Sequence, residues 1–382
     1  MSSAGGSMTD YDVLVIGGGI AGCSVAYFMA PHAKVRVLER EDFPGMHSTG
    51  RSAALFNETY GPPQVLALTR ASRPFFEQPP AGFIEGPILT PRGSLTIGSD
   101  EQASLVKAEF EAVKPNLPAA RLLGEKEIQA VIPVLRPEAA RVALFDAGAA
   151  DMDVNGLQQG FIRGLKARGG ELTTGEEIVS IEHVQGRWHV KTSSSLLRAP
   201  LLINAAGAWA DEVARAAGVT PIGLEPRRRS AFLFAPPAGV DASGWPFVCA
   251  VDEAFYFKPD AGLLLGSSAN ADPASPHDVQ PEELDIATGI YRIEEATTMQ
   301  IQRPTRTWAG LRSFVADGDI VAGFAPDAPG FFWIAALGGF GIQTCAAVGE
   351  ATASVALGRA MPAHLQDAGV SEALLRGSLR GR

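Results

Sequence analysis

Short runs of purely apolar residues recur along the chain, and several run straight into a glycine cluster followed by a longer stretch of small and apolar side chains. The first is "VLVI" (13–16), with "CSVAYFMA" (23–30) beyond its glycines. A four-residue run with no polar alternation reads as a strand buried on both faces, and the longer continuation as a helix. "KVRVLE" (34–39) then supplies a second strand and closes a β-α-β unit. Further on, "ADMDVNGLQQGFIRGLKARGG" (150–170) has the apolar spacing of an amphipathic helix, with Asp151 or Asp153 as N-cap and Gly169–Gly170 as its stop. The segments "EEIVSIE", "RWHVKT" and "PLLINAAG" read as strands, the last running into a helix near Trp209. "RRRSAFLFAPP" and "AFYFKPDAGLLLGS" read as antiparallel strands, the second segment folded at the turn "PDAG". "GFFWIAALGGFGIQTCAAVGEATASVAL" (330–357) is again a buried strand, a glycine turn and a long helix.

This order predicts an α/β fold: a discontinuous Rossmann-like nucleotide domain (8–80, 147–224 and 310–370) with a mixed-sheet α+β substrate domain inserted as 81–146 and 225–309. The leading "MSSAGGS" reads as a disordered tail. Two uncharged stretches, Val13–Ala30 and Phe331–Gly349, have 18 and 19 residues and approach membrane-spanning length. Glycines break both where a strand would give way to a helix, and the first lacks the basic flank and cleavage pattern of a signal peptide. No integral membrane segment is expected.

Composition narrows the chemistry. With 32 Lys plus Arg against 42 Asp plus Glu, the formal charge is −10. That balance argues against a nucleic-acid partner, whose binding rests on basic side chains. The cysteines Cys23, Cys249 and Cys345 lie far apart, and the six histidines form no ligand cluster, so no metal is expected and a cytoplasmic, reducing setting is.

The glycine break "GGGIAG" carries Gly17, Gly19 and Gly22 in G-x-G-x-x-G order. The first allows a tight turn, the second lets backbone approach a pyrophosphate, and the third lets helix pack on strand. Free N–H groups at the helix N-terminus then hold the phosphates. Glu39, 22 positions beyond Gly17, is placed to accept both ribose hydroxyls. The second glycine turn, "GGFG" (338–341), aims another helix N-terminus at something; reduced flavin, negatively charged near N1, is such a target, and close packing alone is the other reading.

Together "VIGGGIAG", "VLER", "STGRSAA", "INAAGAWADEVA", "GLRSFVADG" and "GGFGIQT" make the chain similar, over nearly its whole length, to the FAD-dependent amino-acid oxidases and dehydrogenases of the glycine oxidase-like family. Within that family "RRSAFLFAPP", "NADP" and "QPEELDIATG" most resemble bacterial D-arginine dehydrogenases. The resemblance implies two domains, non-covalent FAD and oxidative deamination of an amino acid. Carried over by residue, Gly17, Gly19, Ala21 and Gly22 bind the cofactor, Glu39 its ribose, and Arg40 lies beside its adenine. Ser48, Thr49, Gly50, Arg51, Ser52, Ala53, Ala54 and Leu55 line flavin and pyrophosphate. Ile178 contacts adenine, and Gly338, Gly339, Gly341, Ile342, Gln343 and Thr344 line the pyrimidine end of the flavin. His47 has a structural place beside the cofactor loop.

For the substrate, a planar guanidinium fork suits an α-carboxylate. Arg312 in "AGLRSF" is the first candidate. Strand alternation puts Arg227 and Arg229 on one face and Arg228 on the other, and the resemblance selects Arg229. Tyr60 and Tyr256 are expected to close over the substrate and bond its carboxylate. The implied chemistry is hydride transfer from Cα to flavin N5, with either a quinone or dioxygen reoxidising the flavin.

Specificity is where the sequence departs from its relatives. Arginine-selective enzymes carry a glutamate at the position of Ser94 in "TPRGSL", and Leu55 and Asn57 replace a histidine and a threonine. An unpaired buried cation is costly, so neutral or apolar D-amino acids are expected, in a pocket of Ser94, Leu55, Asn57, Phe247 and Cys249. Glu85 is the remaining source of a pocket charge. Oxidation of glycine, secondary amines or 2-hydroxy acids is the competing reading, D-arginine dehydrogenase another, and a nucleotide-binding regulator on the same fold the non-enzymatic one.

Overall fold

The computed structural model describes residues 8–379, so the "MSSAGGS" tail lies outside the described residues. Strand Val13–Ile16 is buried at every position, in the interior of a six-stranded sheet. Across that sheet run Glu171–Thr173, Val35–Leu38, Val13–Ile16, Leu201–Asn204, Phe331–Ala335 and Val321–Phe324. The first five are parallel and the last antiparallel. The chain leaves Val13–Ile16 for one neighbour and returns on its other side, which opens a crevice at the carboxyl end of that strand. Gly17 stands at its mouth.

Helices Ile20–Met29 and Gly341–Ala356 pack together on this sheet. A side chain at Gly349 would come within 2.9 Å of Ser24 Oγ, so the glycine sets how closely the two helices approach. Helix Val154–Ala167 forms as expected, and Asp153 is its cap, accepting the Gly156 N–H at 2.8 Å. Helix Pro63–Glu77 went unread between the glycine- and proline-rich segments; Pro63 opens it, and Val65, Leu68 and Ala71 carry its buried face.

The strands expected near 176–192 form but do not enter the six-stranded sheet. Ile178–Val184 and Arg187–Thr192 pair antiparallel, beside Leu196–Ala199 and Thr9–Asp10, in a separate four-stranded sheet. Trp188 and Val190 are buried while Arg187 and Lys191 are exposed, the mark of a sheet covered on one face.

The inserted domain is built on a nine-stranded mixed sheet. Its segments 94–98, 121–124 and 142–146 come from the first insertion, and the rest lie in 225–314. Strand Arg306–Phe314 pairs along its length with Glu225–Phe234, so the boundary drawn at 310 falls inside a strand of this sheet. Helix Ala103–Val113 covers one end through Val106, Phe110 and Val113, which meet Leu144. A three-stranded sheet of Leu55–Phe56, Ala150–Met152 and Leu89–Pro91 bridges the two domains. Beside it Asp151, offered above as a possible helix cap, takes Lys258 Nζ at 2.6 Å and Arg92 Nε at 2.7 Å.

Candidate active site

The glycine loop is shaped by contacts that exclude side chains. Gly17 has φ +105°, and a Cβ there would lie 2.4 Å from the Ala205 carbonyl oxygen. At Gly22 a Cβ would lie 1.9 Å from the Gly17 oxygen, so Gly22 works by letting helix meet strand. Glu39 is aimed by the backbone, its two oxygens accepting the N–H groups of Gly18 at 2.7 Å and Glu41 at 2.9 Å. Each carboxylate oxygen keeps a further lone pair. Helix Ile20–Met29 has no side-chain cap of its own; the Ile20 N–H instead donates to Thr49 Oγ1 at 3.0 Å.

Three cavities meet around this loop. One, of about 290 Å³, runs from Gly17 and Gly19 past Glu39, Arg40 and Ile178 to Trp209. Arg40 lies over the Trp209 ring at 4.8 Å, and His47 packs against the same ring at a 50° tilt while bonding Glu41 at 2.9 Å, a structural role. The second cavity, of about 130 Å³, shares Gly19, Ser48 and Thr49 with the first. It adds Ala21, Arg51, Ser52, Ala53, Gly338, Gly339, Gly341 and Ile342. The third, of about 470 Å³, shares Ser52, Ala53 and Ile342 with the second and includes Ala54, Leu55 and Gln343. Gly50 and Thr344 sit behind these walls rather than in them, as does Gly22: the Gly50 N–H bonds Gly45 O at 2.8 Å, and the Thr344 hydroxyl bonds Phe340 O at 2.9 Å. Expected as cofactor-binding residues, these three lie outside the cavity walls and hold the shape of the segments that form them.

The second and third cavities also share Arg229, Arg312 and Tyr256. Strand pairing explains how two arginines far apart in sequence converge. Arg229 lies opposite Gly310, and Arg227 opposite Arg312, so all four face the same side of the sheet. Arg227 is drawn off to Glu225 and the Phe314 ring, and Arg228, on the reverse face, to Asp285 and Glu282. That leaves Arg229, whose Nε donates to the Asn270 carbonyl at 2.6 Å, and Arg312, packed against Gly339. Neither takes part in an ion pair among the described residues. Burial, then the like charge of Arg312, lowers the Arg229 pKa. Burial also opposes the charge on Arg312, but the Tyr60 and Tyr256 oxygens outweigh it and raise its pKa. Burial raises the Tyr60 pKa against the pull of Arg312, so this phenol keeps its proton as a donor. Two largely buried cations that make no ion pair among the described residues, facing one cavity beside two phenols, form an arrangement that can receive a carboxylate.

The cofactor loop and this clamp are stitched together. Ser48 Oγ donates to Leu311 O at 2.6 Å, Arg51 to Ala309 O at 3.1 Å, and Trp308 Nε1 to Arg51 O at 3.1 Å.

Of the residues expected to form the side-chain pocket, Leu55, Asn57, Phe247 and Cys249 line the third cavity and Ser94 does not. Ser94 is 1% exposed at the base of its strand, and Thr96, two residues on along the same face, reaches the cavity instead. Glu85 is exposed and also absent from the wall. The acids that do line it are Glu109 and Glu253. Burial, and then the charge of Glu253, pushes the Glu109 carboxyl up to about 7. Sequence reasoning missed both. Glu109 carried a signal: it lies three residues after Val106 and four before Val113, an acid on the apolar stripe of its helix. Glu253 has φ +55° in a tight turn, which the sequence did not reveal. Burial pushes the Cys249 thiol up to about 12, so no thiolate chemistry is available there. Among the described residues no cluster of His, Cys, Asp or Glu is arranged to hold a metal, and no helix is long and apolar enough to cross a membrane.

Residues 12–355 match the family of FAD dependent oxidoreductases, and the chain belongs to that family. It is similar to FAD-dependent oxidoreductase domain-containing protein 1 of Bos taurus, with 25% identity covering 91% of this chain and 81% of that protein. Glycine oxidase of Bacillus licheniformis is 24% identical, covering 91% and 93% respectively. The crystal structure of L-proline dehydrogenase from P. horikoshii superimposes with a TM-score of 0.81 at 21% identity, over 93% of this chain and 96% of that one. The cofactor is FAD, and the residues present fit it: a cradle that a Cβ would fill at Gly17, a helix N-terminus with glycine at its N-cap, and connected cavities from Glu39 to Gly339.

Proposed function

We propose that this FAD-dependent oxidoreductase oxidatively deaminates amino acids, and D-amino acids in particular, to 2-oxo acids and ammonia. The observation that carries the reading is the unpaired pair Arg229 and Arg312 beside Tyr60 and Tyr256 in a cavity continuous with the flavin cleft. Arg312 and Arg229 hold the α-carboxylate, and the two tyrosines donate to it, which turns Cα toward the cleft. The bound α-ammonium gives a proton to solvent. FAD would be held by Glu39, the glycine loop and the Gly341 helix start, and would supply the hydride acceptor for the oxidation at Cα. Water then adds to the resulting imino acid and ammonia leaves. The cavity wall carries no histidine or lysine among the described residues, and its contribution is orientation of the bound amino acid.

The clamp reads only a carboxylate, so glycine, secondary amines and 2-hydroxy acids are the competing substrates. A cavity of about 470 Å³ with a side-chain end walled by Phe247, Phe255 and Val251 favours something larger than glycine. The D configuration rests on the resemblance to D-arginine dehydrogenases, and the expectation of neutral side chains, which depends on Ser94 lining the pocket, loses that support because Ser94 lies outside the wall. Three free, separated cysteines favour a cytoplasmic setting. Quinone and dioxygen are the candidate electron acceptors.

Anaerobic addition of matched D- and L-amino acids, followed by flavin absorbance, tests the reading. Bleaching by D-amino acids is the expected result, and rapid re-colouring on admitting air identifies dioxygen as acceptor. Bleaching by L-enantiomers alone overturns the stereochemistry; bleaching only by secondary amines or hydroxy acids overturns the substrate class.

A further inference from the structure

The third cavity is electrically two-ended. Arg229 and Arg312 occupy the end shared with the flavin cleft, whereas Glu109 and Glu253 belong to the third cavity only. Glu253 shares the cavity wall with both arginines and with Glu109, and its charge bears on all three. Glu109 has no hydrogen-bond or ion-pair partner of its own among the described residues, and it arrives on a helix whose neighbouring positions Val106, Phe110 and Val113 are buried. A carboxylate in such a place is stabilised by a cation brought to it.

We propose that Glu109 reads the substrate side chain, admitting amino acids whose side chain ends in an ammonium or guanidinium group. This rests on the amino-acid reading above. The clamp then holds the negative end of the substrate and Glu109 the positive end, with Leu55 and Phe247 along the methylenes between them. The charged group that bears on Glu109 among the described residues is Glu253, which opposes its ionisation; the Cys249 thiol in the same wall stays protonated. Because Glu109 ionises near neutrality, the preference for cationic over neutral side chains strengthens as pH rises from 6 to 8. A substrate ammonium with an ordinary pKa of about 10.4 stays charged across that range.

D-Lysine and D-norleucine differ by one terminal ammonium and serve as the probe pair for the holoenzyme. The expected ratio of kcat/KM favours D-lysine at pH 8, and Glu109→Gln lowers that ratio at least about tenfold and removes its pH dependence. A second readout needs no turnover: calorimetric binding of 6-aminohexanoate against hexanoate, where Glu109→Gln removes the preference for the amine. The wild-type pH profile carries the test if the variant does not fold. A lysine-to-norleucine ratio below one at pH 8, or one unmoved by pH and by Glu109→Gln, overturns the proposal and leaves amino-acid oxidation standing. Failure of every amino acid to reduce the flavin takes both readings down.

Discussion

The cofactor half and the substrate half of this molecule are built on opposite logics. Around the cofactor the working groups are backbone: the Gly18 and Glu41 N–H groups that aim Glu39, and the helix start at Ile20. Glycine is required there because a Cβ would collide, as at Gly17 and Gly22. Around the proposed substrate cavity the polar groups are side chains from separated segments, among them Tyr60, Glu109, Arg229, Tyr256 and Arg312. A backbone site tolerates no local change, whereas a side-chain site can be retuned one residue at a time while the fold stands. The position of Ser94 illustrates this, since the acid near the substrate comes from another element altogether.

The largest effect that separates the two halves is expected at Arg312. Arg312→Ala lowers kcat/KM by about 2–5 kcal/mol, because Arg229 alone is left to hold the carboxylate, while flavin content is retained. Steady-state kinetics with the flavin spectrum as control measure both, and a change under threefold removes Arg312 from the clamp. Gly17→Ala does the reverse. Its strain and overlap with the Ala205 carbonyl cost roughly 1–3 kcal/mol and empty the cofactor site, so the purified protein is colourless. A yellow, fully loaded Gly17→Ala protein contradicts the steric account of the loop.

Glu109 tests the substrate half by stability. Its folded pKa of about 7 lies above the ordinary 4.5, so between those values the folded state binds more protons than the unfolded one. Stability contributed by the neutral carboxyl is therefore lost as pH rises through that window. Glu109→Gln is expected to be more stable than wild type at pH 8, by at most about 3 kcal/mol, with the difference vanishing near pH 4.5. Thermal unfolding at several pH values measures it, and a pH-independent difference excludes the titration. The smallest effect is at the helix cap: Asp153→Ala costs about 1 kcal/mol by denaturant unfolding and leaves kcat/KM within twofold. A large kinetic effect there instead couples the helix to the site.

Much of the cofactor half was legible because its constraints are local. A buried strand, three glycines, a helix and an acid at the next strand end are consecutive in the chain, and sterics dictate the residue type at each step. The clamp was legible only in part. Alternation put Arg227 and Arg229 on one face, but only the pairing with Arg306–Phe314, and the capture of Arg227 by Glu225, leave Arg229 facing the cavity. Helix Pro63–Glu77, which brings no glycine signature, went unread. The identity of the side-chain pocket was least legible: Glu109 is 203 positions from Arg312, and no local rule relates them.

By itself, then, the sequence determined the nucleotide fold, a dinucleotide cradle that the family resemblance assigns to FAD, and the presence of arginines suited to a carboxylate, since backbone conformation and buried periodicity are short-range properties. Which arginine is free, where Ser94 goes, and that an acid closes the far end of the cavity were decided by the tertiary structure. Those outcomes depend on which side chains are neutralised by neighbours and which are left facing empty space, and that is settled only when distant strands and helices pack.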